Sequence, residues 1–265
     1  MPAIKRIQAS SRYVTGFSLV EMAIVLAIVG LLLGGLLPTI SSQMEQQRRN
    51  ETRKQLEEVQ QALVGFAVAN GRLPCPASAS SNGQESFATS PTAGNETNGI
   101  CSNFYSGFVP AATLGISPVD EQGYTLDGWN NRIRYAVVDY QPSGVPNTTF
   151  TSADGMRNTT MDKIADSNTN LLNVCASATG INGSNCGSSA NKLTNKVPVV
   201  IYSTGKNGSY GGAGLDEAAN LNGDRVFVSH TPTPGTATNG EFDDLMIWLS
   251  PNILFNRMVA AGKLP

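Results

Sequence analysis

A single carboxylate, Glu21, lies within an apolar run that extends from Phe17 to Leu37. Burying a charge in apolar surroundings is costly unless a partner neutralises it or hydrogen bonds satisfy it, and a charge inside a membrane segment usually has a function. Two chemistries fit this position. The carboxylate could form an ion pair with a cation, or it could accept hydrogen bonds at the amino terminus of its own helix, where the helix dipole favours negative charge.

The apolar run is long enough to cross a bilayer as a helix, and it follows a basic segment that contains Lys5, Arg6 and Arg12. A secretory signal peptide also begins with basic residues, but its apolar core is shorter and is followed by a cleavage site of the Ala-x-Ala type. No such site follows this run directly. The run is therefore predicted to be a membrane-spanning helix that stays in the protein.

The start of the apolar run resembles the cleavage and methylation motif of type IV prepilins. Gly16 is followed by Phe17, Glu21 is the fifth residue after the glycine, and Gly30 and Pro38 fall at the family's usual glycine and proline positions. In that family, a prepilin peptidase of the inner membrane cuts after the glycine and methylates the new amino terminus. The resemblance implies a cut after Gly16, an N-methylated Phe17, and the peptidase and an inner-membrane assembly platform as partners.

The same resemblance suggests roles for residues inside the helix. A positively charged amino terminus from a neighbouring subunit would neutralise Glu21, and such a buried pair would fix the axial register between subunits. Capping of its own helix by Glu21 stays open as the alternative. Gly30 and Pro38 weaken the helix between them, so this stretch is expected to melt on assembly, unless it only kinks or packs closely in the membrane.

Beyond the apolar run the sequence predicts an α+β protein, in which a long amino-terminal helix packs on an antiparallel β-sheet head. The resemblance to prepilins implies that this is a type IV pilin fold. Leu56, Val59, Leu63 and Phe66 recur at three- and four-residue steps, which indicates one apolar helix face. The following apolar runs are short, β-rich and bounded by Gly, Pro and Asn. Strands are expected at 133–138, 197–203, 226–229 and 245–249, and a final helix at 251–262. The expected regions are a leader at 1–16, a transmembrane or filament-core helix at 17–38, an amphipathic helix at 39–70 and a head at 71–265.

Two parts of the head resemble the major pseudopilin of type II secretion, namely the turn at 127–131 and the final strand that begins at Asp243. In that family, the loop before the final strand binds calcium. The resemblance implies Asp243 and Asp244 as calcium ligands, with Asp216 and Asp224 from the preceding loop. Clustered oxygen ligands on a glycine-rich loop suit this ion, although Asp and Asn residues also form turns that need no metal.

The four cysteines, Cys75, Cys101, Cys175 and Cys186, form no CxxC pair, and the chain has one histidine, so a zinc site is not expected. An even number of cysteines in an exported chain predicts two disulfides with three possible connectivities. Pairing of Cys75 with Cys101 and of Cys175 with Cys186 is favoured, because each bridge would tie down a long polar loop. Free buried thiols are the alternative.

The charge and the motifs of the chain argue against a nucleic-acid-binding protein and against an enzyme. The net charge of −2 leaves no basic footprint for nucleic acid, and neither a phosphate-binding Gly-Lys-Ser/Thr loop nor a converging nucleophile and base is found. We therefore expect a structural subunit of a type IV pilus or pseudopilus rather than an enzyme, with calcium as its one candidate cofactor. The alternative is a minor subunit at a filament tip that mediates adhesion or contacts a secreted substrate. The precursor is expected in the inner membrane with its head in the periplasm, and the filament in the periplasm or outside the cell.

Overall fold

The structure is a computed structural model. It describes residues 16–88, 95, 97–141, 150–153, 155–157, 171–208, 212 and 214–264, without the side chains of 33–40. The predicted leader, apart from Gly16, lies outside these residues. The chain divides into two compact units, Met1–Gln47 and Arg48–Pro265.

The first helix, α1, extends from Leu19 to Asn70 and is unbroken at Gly30 and Pro38. Among the residues that the structure describes, no helix is long and apolar enough to cross a membrane. The predicted transmembrane segment 17–38 includes 33–38, whose side chains lie outside the described residues, so that segment stays a prediction.

The predicted end of α1 is confirmed. Gly71 follows Asn70 with φ of 71°, a left-handed conformation that glycine adopts without steric cost. Its N–H donates to the carbonyl of Ala67 at 2.8 Å, so the glycine closes the helix by satisfying one of its last carbonyl groups.

Within the second unit, α1 buries one stripe of its surface. Thr52, Leu56, Val59 and Leu63 are each at most 1% exposed, at the spacing of one helix face. Leu56, Val59 and Leu63 belong to the same hydrophobic cluster as Tyr135 of the head. The predicted amphipathic face is therefore the part of α1 on which the head packs.

Short strands and helices follow α1 in the described residues. The strands are β1 (Gly107–Phe108), β2 (Arg134–Val137), β3 (Leu172–Cys175), β4 (Lys192–Val197), β5 (Val199–Ser203), β6 (Val226–Val228) and β7 (Leu245–Leu249). The helices are α2 (Ala111–Leu114), α3 (Leu215–Leu221) and α4 (Pro251–Ala260), with a 3-10 turn at Ser189–Asn191.

Four strands form an antiparallel sheet in the order β1-β2-β5-β7. Ile201 at its centre pairs with Tyr135 of β2 and with Ile247 of β7. All five residues of β5 are buried, as expected for a central strand. This sheet and the long helix confirm the predicted α+β class.

A second sheet of three strands, in the order β4-β3-β6, was not predicted. β3 is buried along its whole length and pairs antiparallel with β4 and parallel with β6. The head is therefore not purely antiparallel. Its second sheet includes strands from 139–196, a segment in which the sequence predicted no strand.

Both predicted disulfide pairs are at bonding distance. Cys75 joins Cys101 with sulfur atoms 1.97 Å apart, and Cys175 joins Cys186 at 2.05 Å. The first bridge fixes the chain shortly after the end of α1, and the second ties β3 to the loop before β4. No free cysteine is left among the described residues.

A close backbone contact fixes the head against α1. The N–H of Gly128 donates to Oγ1 of Thr52 at 2.9 Å, and this hydroxyl donates to the carbonyl of Arg48 at 2.8 Å. A Cβ atom at position 128 would lie 2.6 Å from that carbonyl oxygen. Only glycine permits this approach of the turn at 127–131 to the helix.

Gly128→Ala is therefore expected to destabilise the head by about 1–3 kcal/mol, because the added methyl group must push the turn away from α1. The measurement is denaturant unfolding of the purified protein. Gly65→Ala is the matched control: position 65 is exposed on α1, and a methyl group added there would meet no atom within 4 Å. Its stability should stay equal or rise by about 0.5–1 kcal/mol. Equal stability of both variants would contradict the close-contact argument.

Candidate functional site

The residues of the methylation motif lie at the start of α1. Gly16, Phe17 and Ser18 precede the helix, which begins at Leu19. The side chain of Phe17 is 82% exposed. The peptide bond that the motif marks for cleavage is thus outside the helix.

Glu21 caps its own helix in the single chain. The N–H of Ser18 donates to Oε2 of Glu21 at 2.8 Å, and the N–H of Glu21 donates to Oγ of Ser18 at 3.2 Å. This reciprocal pair is a capping box, which satisfies N–H groups that the first turn cannot bond internally. The structure thus shows Glu21 in the alternative role, as a cap of its own helix. Its pairing with a neighbouring amino terminus requires a second subunit and stays a prediction.

A second group of carboxylates lies in the head. Glu217 of α3 and the two aspartates before β7, Asp243 and Asp244, each bring one oxygen atom within 4.8 Å of the others. All three residues are at most 4% exposed. Because α3 and the start of β7 are far apart in sequence, this acidic cluster exists only in the folded head.

Neighbouring donors satisfy part of the acidic cluster. The Nδ2 group of Asn207 donates to both oxygens of Glu217 at 3.0 Å, and Asn220 donates to Asp244 at 2.7 Å. The N–H of Asp243 donates to Oε1 of Glu217 at 2.9 Å. These bonds hold the three carboxylates together despite their like charge.

Two buried oxygen atoms at the acidic cluster have no hydrogen-bond partner: Oδ1 of Asp243 and Oδ1 of Asn207. A buried acceptor without a donor costs about 1–3 kcal/mol. Asp243 itself is only 4% exposed, so solvent does not satisfy this oxygen. Oxygen atoms are the ligands that Ca²⁺ prefers, and a cation held by the acidic cluster would satisfy the orphaned oxygen of Asp243. The residues present therefore fit a calcium ion.

Electrostatics also disfavours three ionised carboxylates without a cation. Burial and the neighbouring Glu217 raise the pKa of Asp243 to about 6. Burial, followed by the charges of Glu217 and Asp243, raises the pKa of Asp244 to about 8, even though the hydrogen bond from Asn220 acts in the other direction. Both aspartates thus hold protons at pH values where ordinary aspartates are ionised.

Two of the four predicted calcium ligands, Asp243 and Asp244, are in the acidic cluster, and two lie elsewhere. The carboxylate of Asp216 accepts the N–H of Ala178 at 2.5 Å and contacts Nε2 of His230 at 3.1 Å. Successive residues on a helix differ in direction by about 100°, so Asp216 leaves α3 on a different side from Glu217.

The fourth predicted ligand, Asp224, forms a turn. Its carboxylate accepts the N–H of Val226 at 2.8 Å and the side-chain amide of Asn222 at 2.9 Å. Glu217, the third member of the acidic cluster, was not among the four predicted ligands. Its position three residues after Gly214, at the third position of α3, is typical of a capping glutamate, and that signal alone does not identify a metal ligand.

Comparison with known proteins identifies the amino-terminal segment. Residues 11–37 match the family model described as the prokaryotic N-terminal methylation motif. The match is to this motif alone and supports a type IV pilin-like protein. The long helix and the antiparallel sheet of the head are consistent with a type IV pilin fold. No curated protein and no solved structure matches the chain.

The raised pKa values of the acidic cluster predict an unusual pH dependence. Without divalent cations, the free energy of unfolding should fall as pH rises from about 4 to about 8. In this range the folded protein keeps protons on Asp243 and Asp244 that the unfolded chain has released, so increasing pH favours unfolding. Denaturant unfolding in a chelator, at about pH 5 and about pH 8.5, measures the difference.

Asp244→Asn should flatten the upper part of this pH profile, because the amide stays neutral where the aspartate must lose its proton. Asp224→Asn, which removes a half-buried carboxylate outside the acidic cluster, is the control and should keep the profile of the natural sequence. A stability that rises over this pH range in the natural protein would contradict the assignment.

Proposed function

We propose that this protein is a structural subunit of a pilus or pseudopilus, cut after Gly16, methylated on Phe17 and assembled through α1. The observation that supports this most strongly is the methylation motif directly before a helix with exposed apolar side chains. Phe17 is 82% exposed, Leu19 89% and Leu31 79%. Continuous apolar surface of this kind is not stable in water and is typical of a membrane or protein contact.

In the proposed function, the apolar surface of α1 is covered first by lipid and then by protein. The lipid of the inner membrane covers it in the precursor, with the head in the periplasm, and neighbouring α1 helices cover it in the filament. The assembly platform transfers the subunit from the membrane to the filament. The head then forms the filament surface, in the periplasm for a pseudopilus or outside the cell for a pilus. This function needs no enzymatic activity of the chain itself and no nucleic-acid partner.

Glu21 has a defined partner in each of these two states. In the single subunit, Ser18 satisfies its carboxylate through the capping box. In the filament, the methylated amino group of a neighbouring Phe17 supplies the opposite charge. An ion pair in an apolar filament core is short-ranged and geometrically strict, so it selects one register of the two helices.

The amino-terminal peptide of the mature protein tests the proposed function. Mass spectrometry should find N-methylated Phe17, in sheared surface material for a pilus and in the envelope fraction for a pseudopilus.

Gly16→Ala should leave the precursor uncut, whereas Glu21→Ala should be cut normally but assemble poorly. Glu57→Ala, which removes an exposed carboxylate farther along α1, is the matched control and should assemble normally. An intact leader in assembled protein would refute the cleavage site, and normal assembly of Glu21→Ala would refute the register role.

We also propose that the head binds one calcium ion at the acidic cluster. Glu217, Asp243 and Asp244 would hold the ion through their carboxylates, and Asn207 could add its side-chain oxygen, which is buried without a partner. The ion would neutralise like charges and link α3 to the start of β7. Its role would be structural, since an ion that binds only the folded state stabilises it by an amount that grows with the logarithm of the ion's concentration above its Kd.

Calorimetric titration of the purified protein with Ca²⁺ tests this site. We expect saturable binding and a higher unfolding temperature, and Glu217→Gln should weaken binding by about tenfold or more because it removes a charged ligand. Asp224→Asn, whose carboxylate lies outside the acidic cluster, should bind like the natural sequence. Absence of binding, or equal weakening by both variants, would exclude the site. Thermal unfolding of each variant shows that loss of binding is not loss of the fold.

A further inference from the structure

The part of α1 that packs on the head carries different charges on its two flanks. With about 100° between successive residues, the buried residues Leu56 and Val59 mark the side that faces the head. Glu51 and Gln55 lie on one flank of this buried side, and Arg53 lies on the other, about 200° from Glu51 around the helix axis. We call the flank that carries Glu51 the acidic flank and the flank that carries Arg53 the basic flank; Glu57 lies beside Arg53, about 40° away around the helix axis.

The acidic flank borders a cavity of about 200 Å³ between α1 and the segment 116–130. Glu51, Gln55 and Glu58 line it on the helix side, and Pro118 and Leu126 are among the residues that line it on the side of the head. The cavity thus combines an acidic edge with an apolar wall. That combination suits a side chain with an aliphatic stem and a cationic end.

Two acceptor groups at the cavity, on Gln55 and Glu51, have no donor within the described residues. Oε1 of Gln55 is buried without a hydrogen-bond partner, and the exposed carboxylate of Glu51 forms no hydrogen bond or ion pair within the described residues. Glu58 forms an exposed pair with Lys54 at 3.6 Å, which contributes little. An occupant with N–H donors and a positive charge would satisfy both acceptors.

Arg53 has the matching chemistry. It is exposed, and among the residues that the structure describes its guanidinium group has no ion pair or hydrogen bond. A guanidinium is planar, carries five N–H donors and binds carboxylates through two bonds at once. Arg53 cannot reach the cavity of its own subunit, because it leaves α1 on the other flank.

We propose that Arg53 of a second copy of this chain occupies the cavity and pairs with Glu51, with an additional hydrogen bond to Oε1 of Gln55. This inference rests on the proposed filament function, since it needs a neighbouring copy. The contact is heterologous: the basic flank of each subunit meets the acidic flank of the next. Such a contact repeats without closing when the rotation between copies generates an open helix, which is the geometry of a filament.

Exchange of the two charges tests the pairing. Glu51→Arg and Arg53→Glu are each introduced alone and together into the full chain, in the producing bacterium without its natural copy of the gene. Each single change places like charges opposite each other and should lower the amount of assembled protein by about tenfold or more. The double variant restores opposite charges and should return to within about twofold of the natural sequence. Lys192→Glu, the same charge change at an exposed position of β4, is the control.

Arg53→Lys provides a second readout. It keeps the charge and supplies an amine that a carbodiimide can condense with a carboxylate, with loss of water. Mass spectrometry of crosslinked filaments should find, in a band of dimer mass, the peptide that carries both Glu51 and the introduced lysine joined to a second copy of itself. Immunoblots of the processed subunit confirm that each variant is made and cut.

The outcomes separate the two proposals. Filaments of the natural protein together with normal assembly of both single variants would overturn the flank pairing and leave the filament function in place. Loss of assembly in both single variants without recovery in the double variant, and without the crosslink, would also overturn the pairing. Absence of the natural protein from every filament and pseudopilus fraction would overturn both proposals.

Discussion

The burial of one side of α1 in the head is the constraint on which the rest of the structure depends. Leu56, Val59 and Leu63 are buried and share a hydrophobic cluster with the central sheet. Burial of three such side chains contributes several kcal/mol, at about 1.5–3 kcal/mol each. The contact of Gly128 with Thr52 then fixes the direction in which the head lies on the helix. Every surface of the head that a neighbouring subunit could meet is oriented by these contacts.

Local patterns in the sequence were sufficient to predict the main elements. The apolar stripe at Leu56, Val59 and Leu63 defined α1, and β-branched runs between turn residues defined β2, β5 and β7. The second sheet was missed for a physical reason. β4 carries Lys192 and Lys196 and is largely exposed, so it lacks an apolar pattern. The parallel pairing of β3 with β6 joins distant segments, and no local signal indicates it.

The candidate calcium site shows a similar limit. Resemblance led to Asp243 and Asp244, which precede a strand with a clear pattern. The choice between Asp216 and Glu217 depends on the rotation of α3 about its axis, and this rotation is set by packing with the rest of the head. Asp216 is instead engaged by Ala178 and His230. A difference of one residue in sequence thus separates a member of the acidic cluster from a residue that organises a loop.

The capping box at Ser18 and Glu21 has a consequence for maturation. The first hydrogen bonds of α1, including that from the N–H of Met22 to the carbonyl of Ser18, all lie on the carboxyl side of the bond between Gly16 and Phe17. Removal of the leader would therefore leave the described hydrogen bonds of the first helical turn in place. Maturation would create a new positive charge beside a helix whose conformation is already complete, so precursor and mature subunit would differ in electrostatics and length but share one fold.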